Sequence, residues 1–169
     1  MKQVAQLLNG MQAAGVIKNY ALFGAMAQMR YAEAVATLDA DVLIAVPKPD
    51  KLEVLADIYS YCAGKGFSAE GDAIRVGAWP VQFMPVFSPL TNEAMEHAEV
   101  AEFDGVPLRV IKADYLAVIA LSVGRGKDFA RILALLESPH VTREQIATLA
   151  ARHGLSEAWH RFVARFIDE

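Results

Sequence analysis

Two aspartates separated by one residue, Asp39 and Asp41, are the residues of this sequence best suited to chemistry. Asp41 opens the apolar, β-branched segment Asp41-Val-Leu-Ile-Ala-Val46, which predicts a buried strand closed by Pro47. Because alternate residues of a strand point to the same side, both carboxylates are expected to face one spot. Such a pair suits a hard cation, Mg²⁺ above all, that is bound together with phosphate groups.

A glycine turn precedes this aspartate pair. The apolar run Tyr20-Ala-Leu-Phe23 predicts a buried strand, and it ends at Gly24. The segment from Ala25 to Ala34, rich in Ala and Met, predicts a helix after the turn. Glycine at such a turn lets the backbone approach a ligand closely, and the free N–H groups of a helix start attract phosphate.

Each signal taken singly also has a purely structural explanation. A glycine at a strand end is common, and carboxylates near strand ends are usually exposed to solvent. The order of strand, glycine turn, helix and Asp39-Ala-Asp41 is what favours a phosphate-and-metal cleft.

The first two thirds of the chain predict a small mixed sheet with helices packed on it. Asp50 has the spacing of an N-cap, and the helix that it would begin runs to about Gly64. Two strands, 73–76 and 79–85, flank a short turn at Gly77-Ala78, and a helix is expected from Thr91 to Ala101.

The rest of the chain predicts a hairpin followed by helices. Asp104-Gly105 is a strong hairpin turn between two apolar strands. From Ala113 onward the pattern is helical, with breaks near Gly124, at Pro139 and at Gly154. We therefore predict an α+β fold with an α/β core over 1–111 and a C-terminal helical bundle over 112–169.

Composition excludes several classes. The formal charge of −4 argues against a dedicated, sequence-independent nucleic-acid binder, although Arg125, Lys127 and Arg131 form a candidate local basic patch. The single cysteine, Cys62, cannot form an internal disulfide, and a cytoplasmic setting without a membrane span is expected.

The motif Leu22-Phe-Gly-Ala25, followed after thirteen residues by Asp39-Ala-Asp41, resembles the signature of the polymerase-β-like nucleotidyltransferase superfamily. Thr37 before the pair is similar to the Thr-x-Asp-x-Asp form of AbiEii-type toxin nucleotidyltransferases and their uncharacterised bacterial relatives. Gly124-Arg-Gly-Lys-Asp128 looks like the Arg-x-Lys-Asp motif of that group, and the resemblance covers about residues 20 to 135.

The resemblance implies a nucleotidyltransferase-like fold and a set of roles. Asp39 and Asp41 would bind divalent metal and serve as the catalytic acids, with Mg²⁺ as the cofactor and an NTP as the substrate. The turn at Gly24 and Ala25, with Thr37 and Lys127, would contact the nucleotide. The acceptor would be a hydroxyl of RNA, of a protein or of a small molecule.

Asp128 has two interpretations. It orients Lys127 or Arg125, or it is only a favourable acid in the first turn of a helix.

Two departures from the superfamily pattern set the alternatives. Ala25 replaces a serine that would contact phosphate, and Gln82 falls where active members present a third carboxylate, a metal ligand and proton acceptor. Asp72 and Glu70 lie upstream and are candidates to replace the third carboxylate. Exposure preferences favour a solvated loop for both of them instead. The sequence therefore leaves two hypotheses, a Mg²⁺-dependent nucleotidyltransferase and a catalytically degenerate nucleotide- or protein-binding module.

Overall fold

The computed structural model describes residues 1–33 and 37–168, and within these ranges one seven-stranded mixed sheet carries the helices. The strands are β1 (Asn19–Phe23), β2 (Ala40–Ala45), β3 (Ser68–Glu70), β4 (Ala73–Val76), β5 (Trp79–Pro85), β6 (Glu99–Phe103) and β7 (Val106–Val110). Their order across the sheet is β3-β4-β5-β2-β1-β7-β6. The predicted mixed sheet is thus confirmed.

The centre of the sheet is formed by β1 and β2, which run antiparallel. Each central strand has a parallel neighbour on its other side, β7 beside β1 and β5 beside β2. Parallel pairing requires a long crossover, and the chain supplies one between each of these pairs. Tyr20, Ala21 and Leu22 of β1 are almost fully buried, which explains their continuous apolar run.

Eight helices are described. They are α1 (Lys2–Ala13), α2 (Gly24–Gln28), α3 (Ala56–Gly64), α4 (Pro89–Glu96), α5 (Ala113–Val123), α6 (Gly126–Glu137), α7 (Arg143–Arg152) and α8 (Ser156–Phe166). The last four confirm the C-terminal helical segment, with its breaks near Gly124, Pro139 and Gly154. The helix α5 is buried over nearly its whole length, which makes it the inner helix of that segment.

Several predicted boundaries are wrong. α3 begins at Ala56, and Asp50 lies in the preceding turn rather than at an N-cap. The side chain of Leu52 is 100% exposed, so an earlier start would gain nothing from its burial. α2 ends at Gln28 and a turn follows through Tyr31, whereas Ala34, the predicted end, lies outside the described residues.

The predicted helix from Thr91 to Ala101 is also wrong at both ends. α4 starts two residues earlier, because Ser88 forms a capping box with Thr91 and Pro89 occupies the first turn. It stops at Glu96, since residues 99–103 pair with β7 as β6, where the hairpin provides ladder hydrogen bonds. β3 was not predicted, because its three residues are all exposed and carry no apolar alternation.

Within the described residues, no helix combines the length and the apolar character needed to cross a membrane. The boundary near residue 111 stays a prediction.

Candidate functional site

The glycine turn and the aspartate strand meet at the centre of the sheet. Phe23, the last residue of β1, is the register partner of Asp41 in β2. Gly24 follows with a φ of +67°, a conformation that favours glycine. A Cβ atom at Gly24 would collide with the carboxylate of Asp41. Glycine is therefore required here by both backbone conformation and space.

Gln82 lies directly beside Asp41. β5 runs parallel to β2, and the register pairs Asp41 with Gln82. Paired residues of adjacent strands project their side chains to the same face at a strand spacing of about 4.8 Å. Gln82 is thus the residue of β5 that is aligned with Asp41, and its side chain is a neutral amide.

Charges of both signs act on the Asp41 carboxylate. Burial raises its pKa above the ordinary value, and the negative charge of Asp39 raises it further. Arg131, Lys127 and Arg125 lower it, in that order of influence, without reversing the shift. The structure therefore brings the Arg125–Lys127 motif of α6 to the aspartate pair, although more than eighty positions separate them in sequence.

A buried acid organises the start of α6. Asp128, only 1% exposed, accepts hydrogen bonds from the backbone N–H of Arg125 at 3.1 Å and from its Nε at 2.7 Å. Burial alone would raise the pKa of Asp128, but these hydrogen bonds and the charges of Arg125 and Arg131 hold it below its usual range. Of its two predicted roles, Asp128 orients Arg125 and caps the first turn at the same time.

A second polar contact joins α6 to α2. The Nε of Arg131 donates to Oε1 of Gln28 at 3.1 Å, and Gln28 is 4% exposed. An Nη of Arg131 lies 3.7 Å from Asp128. The amide of Gln28 donates in turn to the carbonyl of Glu33 at 3.2 Å. These bonds tie the helix that follows the Gly24 turn to the helix that carries Lys127.

The remaining predicted residues surround this centre. The hydroxyl of Thr37 donates to the carbonyl of Asp39 at 3.0 Å, so it shapes the loop that leads into β2. Ala25 is half-buried in α2, and Lys127 is exposed. α2 is only five residues long, so its helix dipole is small.

Neither upstream acid reaches the position of Gln82. Glu70 lies on β3, two strands away from β5, which corresponds to about 10 Å. It is held by Arg75, whose Nε and an Nη donate to its carboxylate at 2.7 and 2.8 Å. Asp72 lies in the exposed turn between β3 and β4.

The donor set fits a magnesium ion of the kind that takes most of its ligands from a nucleotide and water. Two adjacent carboxylates and a carboxamide oxygen are hard donors, and such sites use one or two carboxylates with substrate phosphates. Burial raises the pKa of Asp41, repulsion from Asp39 raises it further, and a divalent cation would relieve that repulsion. In the described residues no cluster of three or more His, Cys, Asp or Glu side chains could hold a metal by itself.

Sequence reasoning missed one contributor to this site, and a second was named only for its charge. Gln28 belongs to no motif, and its bond to Arg131 was not predictable from local patterns. Arg131 was named only within a basic patch. Its spacing of four from Lys127 placed both on one helix face, which was the available signal.

The fold that carries this site is nucleotidyltransferase-like. The crystal structure of an antigenic nucleotidyltransferase-like protein from Paracoccidioides brasiliensis aligns with 93% of this chain and 90% of that chain. The TM-score is 0.56 and the sequence identity is 13%, so the likeness establishes the fold alone.

Two structures of the antibiotic-resistance factor ANT(2'')-Ia are also similar, one determined in solution and one in complex with adenylyl-2"-tobramycin. They align with 94% and 96% of this chain and with 98% and 96% of their own chains, at identities of 13% and 12%. Their TM-scores are 0.47 and 0.45. No protein-family model and no curated protein sequence matches this chain.

Proposed function

We propose that this protein binds an NTP with Mg²⁺ in the cleft between the Gly24 turn and the start of α6, and transfers its nucleotidyl group to a hydroxyl. The observation that carries the proposal is the meeting of Gly24, Asp41 and the cations of α6. Gly24 leaves room against the Asp41 carboxylate, and Lys127 and Arg131 act on that same carboxylate. A divalent cation would be attracted by the carboxylate, and anionic phosphates would be attracted by the two cationic side chains.

Each residue has a distinct task under this proposal. Asp39 and Asp41 would hold the metal ion, which offsets the charge of the phosphates when bound. The backbone N–H groups at Gly24 and Ala25 would contact phosphate oxygens, while Lys127 would hold the triphosphate as a mobile point charge. The acceptor would be a hydroxyl of RNA, of a protein or of a small molecule.

A second candidate function is a degenerate module that binds nucleotide or a partner protein without turnover. Gln82 favours it, because the residue nearest to Asp41 on β5 is an amide that cannot accept a proton as a carboxylate does. Fewer negative charges also weaken the binding of a divalent cation. The two candidates share the nucleotide site and differ in catalysis.

Calorimetric titration with each NTP, with and without Mg²⁺, tests the shared part. Binding that requires Mg²⁺ and is lost in Asp39→Asn and Asp41→Asn supports the site. Asp50→Asn is the matched control, since Asp50 is an exposed acid outside the cleft. The absence of binding at roughly millimolar NTP, the weak end of the usual affinity scale, would contradict the enzyme and the nucleotide-binding form of the second candidate.

Gln82→Asp separates the two candidates. If the third acid is the only missing part, this variant should bind Mg²⁺ more tightly and release pyrophosphate from NTP at a higher rate than the natural protein. Gln82→Glu controls for the added charge with a longer side chain. Turnover by the natural protein that equals or exceeds that of Gln82→Asp would support the enzyme and exclude the degenerate module.

The resemblance of Thr37-Leu-Asp39-Ala-Asp41 to AbiEii-type toxins extends the proposal to a toxin of a toxin–antitoxin pair, acting in the cytoplasm. Induced expression in a bacterial host tests this role. Growth arrest that Asp39→Asn abolishes would support it, whereas normal growth with abundant folded protein would contradict it.

A further inference from the structure

The sheet ends at β6, and the outer edge of this strand has no partner strand among residues 1–33 and 37–168. The turn Asp104-Gly105, which joins β6 to β7, has φ angles of +49° and +79°, as in a two-residue hairpin turn of type I′. In such a hairpin the pair next to the turn, Phe103 and Val106, exchanges hydrogen bonds, and bonding alternates along the ladder. The backbone N–H and C=O groups of Val100 and Glu102 therefore point outward.

The residue opposite Glu102 agrees with this alternation. Pro107 is its register partner on β7, and the nitrogen of a proline carries no hydrogen to donate. The carbonyl of Pro107 accepts a hydrogen bond from the side-chain amide of Asn9 at 2.7 Å. Both facts fit a pair that exchanges no ladder hydrogen bonds, so the backbone groups of Glu102 are available to another strand.

An apolar groove of about 380 Å³ follows this edge between α2 and the β6–β7 hairpin. Its walls include Met26, Met29, Ala101 and Phe103. Met29 is 58% exposed and Phe103 is 36% exposed, so large apolar side chains border the groove in contact with solvent. Val100, which alternation places on the opposite face of β6, is 60% exposed. A strand added at this edge would therefore cover apolar surface on both faces of the sheet.

The edge carries negative charge at its turn end. Glu102 and Asp104 are exposed, and neither forms an ion pair with a residue in the described part of the chain. Glu99, at the other end of β6, is paired, because its carboxylate accepts hydrogen bonds from Nε of Arg30 at 2.9 Å and from the hydroxyl of Tyr31 at 2.6 Å. A strand placed beside β6 would thus meet two unpaired acids near the turn.

These acids discriminate between partners. Charged residues on an edge strand keep unsuitable strands away, and acids repel acidic strands above all. A second copy of this chain is unsuitable, because antiparallel pairing of the two β6 edges would place Glu102 and Asp104 of both copies along one seam, where like charges are destabilising. A strand with basic side chains is attracted instead.

We propose that the outer edge of β6 binds an extended, basic segment of another protein as an additional antiparallel strand. Backbone hydrogen bonds to Val100 and Glu102 would hold the segment, and its alternate side chains would enter the apolar groove. Its basic side chains would lie opposite the two unpaired acids. β6 lies three strands from β2, about 14 Å, so this inference goes beyond the proposed function and holds whether or not the aspartate cleft is catalytic.

The probe is a capped peptide with the sequence Lys-Leu-Lys-Leu-Val. In antiparallel register its lysines lie opposite Asp104 and Glu102, and its leucines lie opposite Phe103 and Ala101 on the groove side. Hydrogen exchange followed by NMR should become slower at the amides of Val100 and Glu102 when the peptide is added. Methylation of the peptide nitrogens of the second lysine and the valine, which face β6, should weaken binding at least ~10-fold, because two backbone hydrogen bonds are lost.

Two variants of the protein separate backbone pairing from charge. Val100→Pro removes one outward N–H, a change that edge strands tolerate, and should weaken peptide binding about 3- to 10-fold. Glu102→Gln should weaken it about 2- to 5-fold and reduce its dependence on salt. Asp72→Asn removes an exposed acid from the turn between β3 and β4 and should change neither value. Circular dichroism checks the fold of all three variants.

Equal affinity for the methylated and the unmethylated peptide would overturn the proposal, because backbone pairing would then contribute nothing. Equal affinity for a Glu-Leu-Glu-Leu-Val peptide would overturn the selection by charge. A concentration-dependent dimer of the natural protein that Val100→Pro abolishes would assign the edge to a second copy of the chain and overturn the proposal as well. So would the absence of peptide binding at roughly millimolar concentration, the weak end of the usual affinity scale.

Discussion

The backbone of Gly24 lies against the side chain of Asp41, so that an added Cβ would be 3.3 Å from the Asp41 Cβ and closer still to its carboxylate. The contact joins the turn after β1 to the first half of β2, whose register aligns Phe23 with Asp41. Any side chain at Gly24 would therefore push the carboxylate from its place. The pair links the Gly24 turn and the strand β2 in one structural unit.

Gly24→Ala should reduce both stability and Mg²⁺–NTP affinity. The positive φ alone costs an alanine about 1–2 kcal/mol, and displacement of Asp41 adds to that cost. Gly15→Ala is the matched control, because Gly15 has a φ of +73° but an added Cβ there would have no atom of residues 1–33 or 37–168 within 4 Å. Urea denaturation of the two variants should show a clearly larger loss at Gly24, and equal losses would contradict the collision.

Asp41→Asn should stabilise the metal-free protein at neutral pH. Burial and Asp39 raise the pKa of Asp41 in the folded state, so the folded protein binds this proton more tightly than the unfolded chain does. Ionisation of Asp41 therefore lowers the free energy of unfolding at pH values above its folded-state pKa. This cost declines as the pH falls below the folded-state pKa, and it is gone below the unfolded-state pKa. Thermal unfolding from neutral to acid pH should show a Tm advantage of the variant that shrinks toward acid pH.

The same experiment with Mg²⁺ and NTP should reverse this order. Ligand that binds only the folded natural protein raises its Tm, whereas Asp41→Asn should gain little. A lower Tm of Asp41→Asn in metal-free buffer at neutral pH would contradict the electrostatic cost.

Asp128→Asn should destabilise the start of α6 by about 1–3 kcal/mol, the usual cost of leaving buried hydrogen-bonding groups poorly paired. The pKa of Asp128 is lowered in the folded state, so its contribution is present above the unfolded-state pKa and is lost as the pH falls through the folded-state pKa. The variant should therefore differ most from the natural protein at neutral pH. Chemical denaturation at two pH values measures the difference.

Asp57→Asn is the control for this prediction, because Asp57 forms an exposed ion pair with Lys51. Its effect should stay below about 0.5 kcal/mol. If Asp128→Asn lowers the free energy of unfolding by no more than Asp57→Asn does, the buried acid does not organise the start of α6.

Glu93→Ala should weaken the attachment of α7 to α4 and α5. The carboxylate of Glu93 accepts hydrogen bonds from the hydroxyl of Tyr115 at 2.8 Å and from Arg152, and its second oxygen is 2.6 Å from Nε2 of His153. Burial and this carboxylate together raise the pKa of Tyr115 to about 12. Loss of several partners should cost about 1–3 kcal/mol, measured by chemical denaturation.

Glu96→Ala is the matched control on the same helix, since Glu96 is exposed and accepts a hydrogen bond from its exposed neighbour Asn92. Hydrogen exchange should show faster opening of α7 in Glu93→Ala and unchanged exchange in Glu96→Ala. Identical protection of α7 in both variants would contradict the role of Glu93.

The sequence by itself determined the order of the strands and helices around the candidate site. The apolar runs of β1 and β2, the glycine between them and the Asp39-Ala-Asp41 spacing are local patterns, and their burial follows from strand periodicity. The place of Gln82 within a strand could be predicted from the sequence for the same reason. Helix ends were harder to predict, because they depend on capping by Ser88 and on the pairing of β6, and hydrophobic periodicity carries no information about these contacts.

Only the tertiary structure decided which distant groups share the site. Gln28 and Arg131 are 103 positions apart, and their bond exists because α2 and α6 approach each other over the inner helix α5. The approach of α2 to the β6–β7 hairpin likewise decided that an apolar groove follows the outer edge of the sheet. Hydrophobic periodicity specifies which face of each element is buried, whereas the partner of a polar side chain depends on how all those faces are packed together.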